Sequence, residues 1–438
     1  MKDKTHQWKR VLIKDVCEFI LDCVNKTAPT IESPTPYKML RTTNVKAGSI
    51  DLINVKYVTK EIYDNWTRRA VPRKGDVILT REAPLGLVGI LRTNDTIFLG
   101  QRLIQYRTDP EKLNNYFLLY AFQAYNLQAQ IRSFGSGATV EHMRVPDAEK
   151  LTILLPDLLL QQKIASILSN YDDLIENNTR RIKILEQMAK LIHEEWFIKF
   201  RFPGHENVKM VSSELGEIPE GWKVKTLGEL GEIITGKTPS TKNKKNYGAY
   251  VPFIKIPDMH GNLFCISSSQ YLSKTGEASQ KNKTLPKNTV LVSCIGTIGV
   301  VSITSIESQT NQQINALIPF DSKKLEYLYF ELKRLKAHLK NLGANGAILT
   351  NVNKEKFQSV KVTDPDKNIV KTFHEITSPI FSQIKNLQFK NQNLCKTRDL
   401  LLPKLISGEI DVSDLDIQIR DDFKVPQVQE TENKPKRA

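Results

Sequence analysis

The chain has 438 residues, of which 63 are Lys or Arg and 48 are Asp or Glu, so its formal net charge at pH 7 is +15. This length allows two or three domains with sizeable cores, and the basic excess favours nucleic acid or another polyanion as a partner. No apolar run approaches the roughly 20 residues of a membrane span, no signal peptide is evident, and the five cysteines form no CxxC pair, which fits reduced thiols in a cytoplasmic protein.

The first part of the chain has the pattern of a mixed domain. Short alternating strands separated by turns are followed by one short helix. VPRKGDVILT, from Val71, is strand-like, APLGLVG contains the next turn, and Tyr116–Ile131 is the predicted helix. We therefore predict a first domain over residues 1–155.

A long helix is predicted from Gln161 to Trp196, a stretch without Gly or Pro. Its largely apolar seam advances in alternating steps of three and four residues, which is the heptad pattern of a coiled coil. At ~1.5 Å per residue the helix would be roughly 55 Å long. So narrow a seam requires a partner helix; the alternative is an ordinary amphipathic core helix. The seam residues are Gln161, Ile164, Leu168, Tyr171, Ile175, Asn178, Ile182, Leu185, Ala189, Ile192 and Trp196.

A second helix with a similar seam is predicted in residues 366–412. Ser378 and Pro379 favour a break or a restart in its first turns. Before it, residues 203–221 are Pro/Gly-rich and polar and predict a connector, and residues 222–365 predict a second domain. Residues 413–438 contain few apolar side chains and predict a disordered tail. The second seam runs through Phe373, Thr377, Ile380, Ile384, Leu387, Asn391, Leu394, Arg398 and Leu401.

The two halves of the chain repeat one another at an offset of about 210 residues, which indicates a domain duplication. The matched segments are Trp8–Lys9 with Trp222–Lys223, VPRKGDVILT with LPKNTVLVS, Gly86 with Gly299, GQRL from Gly100 with NQQI from Asn311, and FGSGAT from Phe134 with LGANGAI from Leu342. We predict an α+β, mixed α/β chain with two duplicated domains. The two long helices would separate them as an antiparallel coiled coil.

Four segments carry a resemblance to a known family. They are LTILLPDLLLQQKIASILSNYDDLIENN from Leu151, EEWFIKFRFPG from Glu194, LGEIPEGW from Leu215 and LLPKLISGEIDV from Leu401. In this order they resemble the conserved regions of Type I restriction–modification specificity subunits, and the resemblance extends to about Val412. The chain departs from the family at KVTDPDKNIVKTF, where an LPP…EQ-type helix entry is usual, which leaves the start of the second helix open.

The resemblance implies how the segments would work. Residues 1–155 and 222–365 would be target-recognition domains that each read half of a split site in double-stranded DNA. Residues 156–202 and 366–412 would be conserved helices that act as a spacer and as the docking region for methyltransferase subunits, two in number, with restriction subunits joining through them. The chain itself would be non-catalytic and without cofactors, because S-adenosylmethionine and ATP would bind to the partner subunits.

Two motifs favour other functions. Gly231–Thr238 matches the phosphate-loop pattern GxxxxGK[ST], which requires a buried strand before it and a helix after it. The amphipathic WKVKTLGEL precedes it, and PSTKNKKNYG, which follows it, is not typical of a helix. FGSGAT resembles the glycine loop of adenine methyltransferases, but their Asn/Asp-Pro-Pro-aromatic segment is absent from the sequence. The alternatives are a stand-alone P-loop or methyltransferase enzyme with coiled-coil arms, and a coiled-coil scaffold without a DNA role.

DNA-contacting residues are predicted from their chemistry on presumed loops. Arg and Lys can hydrogen-bond to guanine edges, and Asn and Gln to adenine, whereas phosphates accept any donor. The candidates are Arg41, Thr43, Asn44, Arg68, Arg69, Arg81, Gln101 and Arg102 in the first half, and Lys242, Lys244, Lys245, Lys255, Lys281, Lys283, Asn311 and Gln312 in the second. Asn178 and Asn391 occupy matching seam positions, where a polar residue can fix the register of paired helices.

Overall fold

A computed structural model describes residues 8–24, 26–135, 141–343 and 351–423. The chain divides into a first unit, Met1–Leu174 with Leu394–Ala438, and a second unit, Ile175–Asn393. The long helices were predicted as separate segments, but each contributes residues to both units. Their seam side chains belong to the hydrophobic cores, as Ile164 and Leu168 do in the first unit and Ile384 does in the second.

The first unit consists of an antiparallel sheet β2-β10-β7-β8, a sheet β6-β3-β9 in which β3 and β9 are parallel, and the antiparallel pairs β1-β11 and β4-β5. Its strands are β1 (Lys9–Leu12), β2 (Cys17–Asp22), β3 (Lys38–Leu40), β4 (Val45–Lys46), β5 (Ser49–Ile50), β6 (Lys56–Tyr57), β7 (Val77–Arg81), β8 (Leu85–Ile90), β9 (Ile97–Leu99), β10 (Leu103–Thr108) and β11 (Thr152–Leu155). Its helices are α1 (Lys60–Trp66), α2 (Asn115–Gln123), α3 (Tyr125–Phe134), α4 (Val145–Ala148) and the first part of α5 (Leu158–His193).

The second unit repeats this arrangement in the sheet β15-β22-β19-β20-β17, the sheet β18-β16-β21 and the pair β14-β23. Its strands are β12 (Met210–Ser213), β13 (Gly216–Pro219), β14 (Lys223–Thr226), β15 (Gly231–Thr235), β16 (Tyr247–Ile254), β17 (Phe264–Cys265), β18 (Tyr271–Leu272), β19 (Val290–Ser293), β20 (Val301–Thr304), β21 (Gln309–Thr310), β22 (Ile314–Pro319) and β23 (Lys361–Asp364). Its helices are α6 (Leu227–Leu230), α7 (Ile256–Met259), α8 (Lys274–Ala278), α9 (Leu325–Arg334), α10 (Lys336–Gly343), α11 (Lys354–Gln358) and the first part of α12 (Lys367–Ser407).

The predicted duplication is confirmed by the hydrogen bonds of corresponding turns. The Thr80 hydroxyl donates to the Pro84 carbonyl and accepts from Leu87 N–H. In the second unit the Ser293 hydroxyl makes the same two bonds at the same spacings: it donates to the Thr297 carbonyl, four residues on, and accepts from Val300 N–H, seven residues on. Gly86 and Gly299, which the sequence aligns, have φ of +88° and +82°, a backbone conformation that favours glycine.

The predicted helix Tyr116–Ile131 is divided into two helices, and so is its counterpart in the second unit. In the first unit α2 ends before Ala124, whose ψ of 148° is extended, and α3 follows. Gln128 stabilises this break because its Nε2 donates to the Phe122 carbonyl at 2.7 Å. In the second unit the division falls at Leu335, between α9 and α10.

The predicted break in the second long helix is absent. Helix α12 is continuous from Lys367 to Ser407 and passes through the exposed Pro379. A proline inside a helix removes one backbone hydrogen bond and strains the preceding turn. Phe373, Thr377 and Phe381 are buried on either side of it, so tertiary packing holds the helix together across the proline.

Within the second unit, α5 and α12 run antiparallel side by side. Trp196, in the helical turn Glu194–Ile198 that follows α5, lies against Phe373 with ring centroids 5.9 Å apart, and Asn178 of α5 pairs with Asn391, later in α12. The antiparallel pairing is thus confirmed for this part of the helices. The supercoiling that a heptad seam implies remains a prediction.

Two segments predicted to lie outside the cores are partly built into them. The predicted tail begins at Ser413, but Phe423 is buried in the first unit, and Gln162 Nε2 donates to its carbonyl at 2.9 Å. Residues 424–438 lie outside the described part of the chain. The predicted connector contains the β12-β13 hairpin, and its Ile218 is buried in the second unit. In both segments, an isolated apolar residue in a polar sequence packs into the hydrophobic core and holds the segment against it.

Helices long and apolar enough to cross a membrane are absent from the described residues.

Candidate nucleic-acid interface

The phosphate-loop motif does not have the required structure. Gly231–Thr235 is strand β15, paired along its length with β22, and the next helical residues are only a 3-10 turn at Lys244–Asn246. A Cβ atom on Gly236 would lie 2.2 Å from the Asn311 carbonyl oxygen, so this glycine permits close contact between backbones. The Lys237 N–H donates to the Thr310 carbonyl. The motif therefore forms an edge strand of the sheet and the start of the loop that follows it. The nucleotide-binding alternative is not supported.

In the first unit, four candidate residues are brought together where the strands of the sheet end. Arg81 ends β7, and its N–H donates to the Arg102 carbonyl at 2.9 Å. Gln101 precedes β10, and the neighbouring Gly100 N–H donates to Leu40, next to Arg41. We call Arg41, Arg81, Gln101 and Arg102 the polar edge of the first unit.

The second unit has the corresponding edge, built by the same backbone bonds. Cys294 N–H donates to the Gln313 carbonyl at 2.7 Å, and Asn311 N–H to Ile254, next to Lys255. Gln280 Nε2 donates to the Lys237 carbonyl, which brings the turn Lys281–Lys283 to the same region. We call Lys237, Lys255, Gln312 and Gln313 the polar edge of the second unit.

Each polar edge contains a glutamine held by a threonine. In the second unit the Thr238 hydroxyl donates to Gln312 Oε1 at 2.5 Å. In the first unit the Thr27 hydroxyl donates to Gln101 Oε1 at 3.3 Å. Both threonines lie on the loop that leaves the corresponding strand, β15 or β2. Neither threonine was among the residues predicted from the sequence to contact DNA. Thr238 was interpreted as part of the phosphate-loop motif.

Two predicted DNA-contacting residues, Asn44 and Asn311, are buried instead of exposed. Asn44 is 1% exposed: its Nδ2 donates to the Asp51 and Asn54 carbonyls, and its Oδ1 accepts from Arg41 N–H. Asn311 is 8% exposed, and its side chain bonds with Gln313. Both amides form hydrogen bonds within the chain that stabilise a turn.

The arginines of the first half differ in their availability. Arg102 pairs with Glu82 at 3.4 Å, and Arg69 pairs with Asp22 at 2.7 Å, so both are neutralised locally. The Arg41 guanidinium donates to the Asn54 carbonyl. The Arg81 side chain makes no hydrogen bond or ion pair with the described residues. Among the arginines of this edge, Arg81 is therefore the one whose guanidinium is not engaged by a described residue.

Two further candidates lie elsewhere in the first unit. Arg68 donates to the Asn65 carbonyl at the end of α1. Thr43 is exposed in the turn before β4, where its carbonyl accepts from Lys46 Nζ at 2.8 Å. The structure does not bring either residue into the polar edge.

Five of the candidate lysines in the second half carry positive charge that no described carboxylate neutralises. Lys242, Lys244 and Lys245 are exposed on the loop after β15, which is anchored because Tyr247 donates to the Pro239 carbonyl at 2.9 Å. Lys281 is exposed and Lys283 half-buried, and none of these five pairs with a described carboxylate. Such a cluster attracts a polyanion.

Groups for covalent or metal chemistry are poorly placed. Burial raises the pKa of the Cys265 thiol to about 12 and that of Cys294 to about 11, so both are protonated at neutral pH. No group of three or more His, Cys, Asp or Glu side chains among the described residues could hold a metal ion. Most of the glycine segments at Phe134 and Leu342 lies outside the described residues.

Comparison with known proteins identifies relatives over most of the chain. A sequence profile of the Type I restriction modification DNA specificity domain matches residues 5–187 and 219–394. The Type I restriction enzyme HindI specificity subunit of Haemophilus influenzae is 34% identical over 329 residues, which cover 62% of this chain and 72% of that protein. The MjaIX specificity subunit of Methanocaldococcus jannaschii is 28% identical over 378 residues, covering 83% and 86%.

A solved structure shares the fold. The crystal structure of a Type I restriction–modification S subunit from M. genitalium has a TM-score of 0.58 and 17% sequence identity, and the match covers 92% of this chain and 98% of that one. The profile matches twice, and each match contains the polar edge of one unit. The chain therefore belongs to the Type I restriction–modification DNA specificity family, as a specificity subunit with two recognition domains.

Proposed function

We propose that each unit reads one half of a split site in double-stranded DNA through its polar edge. The observation that carries this proposal is the duplication of the edge itself. Corresponding strands and backbone bonds present basic and amide side chains at the same place in both units. Side chains of these types can hydrogen-bond to base edges in the major groove.

The exposed side chains divide into two roles. Arg81, Gln101 and Gln312 read bases, because each lies on a polar edge and keeps donors free. Lys242, Lys244 and Lys245, with Lys281 and Lys283, contact phosphates, because flexible point charges position DNA without selecting a sequence. Arg41, Thr43, Arg68, Arg69, Arg102 and Lys255 are further contact residues in this proposal, and Arg69 and Arg102 would exchange a carboxylate for DNA.

The partners in this proposal are methyltransferase subunits, and restriction subunits that join through them. S-adenosylmethionine and ATP would bind to those partners, and the complex would act on DNA in the cytoplasm. A docking surface for a methyltransferase is offered by an apolar stripe along α5 and the turn after it. The stripe consists of Ile184, Met188, Leu191 and Ile198, which are 60%, 48%, 49% and 39% exposed.

Replacing Lys244 and Lys245 by glutamine tests the phosphate contacts. Loss of two contacts should weaken binding to all DNA sequences similarly and make the slope of log K against log salt shallower by roughly 2, because fewer counterions are released. The measurement is the affinity of the complex for specific and random duplexes between low and moderate salt. Lys209→Gln with Lys223→Gln removes the same charge from exposed lysines outside the proposed contacts and should leave the slope unchanged. An unchanged slope in the Lys244/Lys245 variant would remove these residues from the interface.

Replacing Ile184 and Met188 by serine tests the docking surface. Both side chains are exposed in the described chain, so its melting temperature should change little. Methyltransferase binding should weaken at least about 10-fold, because docking would bury the exposed part, about half, of each side chain, and full burial contributes roughly 1.5–3 kcal/mol per side chain. Ile53→Ser, at an isolated exposed position, is the control. Full methyltransferase affinity in the Ile184/Met188 variant would place the docking surface elsewhere.

A further inference from the structure

The two Thr–Gln pairs have features that a purely structural role does not explain. In both units the glutamine Oε1 accepts from a threonine hydroxyl, whereas the Nε2 group makes no hydrogen bond with any described residue. Gln312 is exposed and Gln101 half-buried. Each threonine therefore fixes one end of an amide whose other end remains free.

The residues around the glutamines differ between the two units. Position 100 is Gly where the corresponding position 311 is Asn, and Arg102 corresponds to Gln313. Arg41 corresponds to Lys255, because Leu40 and Ile254 accept the same backbone bond. Residues that recognise different base pairs in the two half-sites are expected to differ between the units. The glutamine is the same in both units, so it is expected to recognise a base that both half-sites share.

The chemistry of the amide selects that feature. An adenine presents an N6–H donor and an N7 acceptor in the major groove, and a side-chain amide can bond to both. The threonine occupies one lone pair of Oε1, which leaves the second lone pair for N6–H and Nε2 for N7. A guanine presents two acceptors, one of which would face the amide oxygen unpaired.

We propose that Gln101 and Gln312 each read an adenine at the corresponding position of the two half-sites, with Thr27 and Thr238 as positioning residues that hold each amide in its reading orientation. This inference rests on the proposed function. Beyond that function, it names adenine as the recognised base, places it at the same position of both half-sites and gives the threonines a positioning role. The fixed amide loses less side-chain entropy on binding, which favours the matched base over the others.

The experiment uses the chain in complex with its methyltransferase partner and a library of duplexes that carries all base pairs at each position of the site. In Gln312→Ala, the preference for adenine at one position of one half-site should fall by about 5- to 150-fold, the range for loss of one bidentate base contact. Gln101→Ala should have the same effect at the corresponding position of the other half-site. Binding to random duplexes should change little.

The threonine variants separate positioning from direct contact. Thr238→Val, and independently Thr238→Ala, should lose about 3- to 10-fold of the adenine preference at the position affected by Gln312→Ala, as loss of one hydrogen bond implies. Thr238→Ser, which retains the hydroxyl, should keep the preference. Thr241→Val, an exposed threonine on the same loop, is the matched control and should behave as the unaltered chain.

Three results would overturn the inference. Uniform weakening at all sequences with a shallower salt slope would make the glutamines phosphate contacts. If the glutamine variants lost preference at positions whose preferred base is not adenine, the two glutamines would not both recognise adenine. Full preference in both Thr238→Val and Thr238→Ala would remove the positioning role. An unaltered complex without sequence preference would instead contradict the proposed function, so the two failures are distinguishable.

Discussion

Replacing residues of about 10–150 with the matching domain of another specificity subunit is expected to change one half of the recognised DNA site and leave the other unchanged. The whole polar edge of the first unit lies within this segment. Strands β1 and β11 pair antiparallel, with Lys9 opposite Leu155, so the two ends of the exchanged segment lie side by side. The exchange therefore replaces a recognition domain while both long helices remain.

The size of this effect follows from the cost of mismatched base pairs. Two mismatches at roughly 1–3 kcal/mol each predict a change of at least about 30-fold in preference between the old and the new half-site. Methylation of a library with both half-sites randomised provides the measurement. The reciprocal exchange of residues 222–365 is the control and should change only the other half. A simultaneous change of both halves would contradict independent recognition.

The second large effect concerns the asparagine pair between α5 and α12. Asn178 is 9% exposed, and its Nδ2 donates to Asn391 Oδ1 at 2.9 Å. Asn391 Nδ2 donates in turn to the Ile175 carbonyl and the Thr179 hydroxyl, at 3.3 and 3.2 Å. The structure places both amides in the seam, as their matching positions in the sequence predicted.

Asn391→Leu alone should lower the free energy of unfolding by about 1–3 kcal/mol, because it leaves the buried Asn178 amide without its partner. Asn178→Leu combined with Asn391→Leu should raise the melting temperature above that of the unaltered chain, since an apolar seam replaces a polar pair. We expect the double variant to accept a wider range of spacer lengths between half-sites, because the polar pair no longer fixes the register.

Denaturant unfolding of the single and double variants, together with methylation of a library of spacer lengths, tests this expectation. A coupling free energy of at least about 1 kcal/mol is expected for residues in direct contact. Asn177→Leu, the same substitution at an exposed position of the same helix, is the control for altered helix composition. Additive single effects with an unchanged spacer preference would contradict the register role.

The elements that the sequence predicted well are those governed by periodicity and repetition. The heptad seam predicted α5, and the internal repeat predicted corresponding sheets and the matched glycines at 86 and 299. Both patterns can be recognised in the sequence because a buried helix face, or a turn with positive φ, restricts which residue types can occupy each position. The pairing of Asn178 with Asn391 could be inferred for the same reason, since their positions in the two seams match.

The remaining features depend on tertiary contacts that the sequence does not reveal. The sequence predicted that the amides of Asn44 and Asn311 are exposed. In the structure the Asn44 amide donates to backbone carbonyls and the Asn311 amide donates to a neighbouring side chain. Pro379 signals a break that burial of its neighbours overrides. Thr238 lies in a strong sequence motif for another function, and its hydrogen bond to Gln312 depends on the pairing of strands β15 and β22, which the sequence does not reveal.

The most direct test of the account is methylation sequencing of a host that carries this gene with its neighbouring methyltransferase gene. We predict one methylated motif made of two specific half-sites separated by an unspecific spacer. The motif should disappear when this gene alone is deleted and return when it is restored. A continuous motif, or methylation that persists without this chain, would contradict its role as a two-domain DNA specificity subunit.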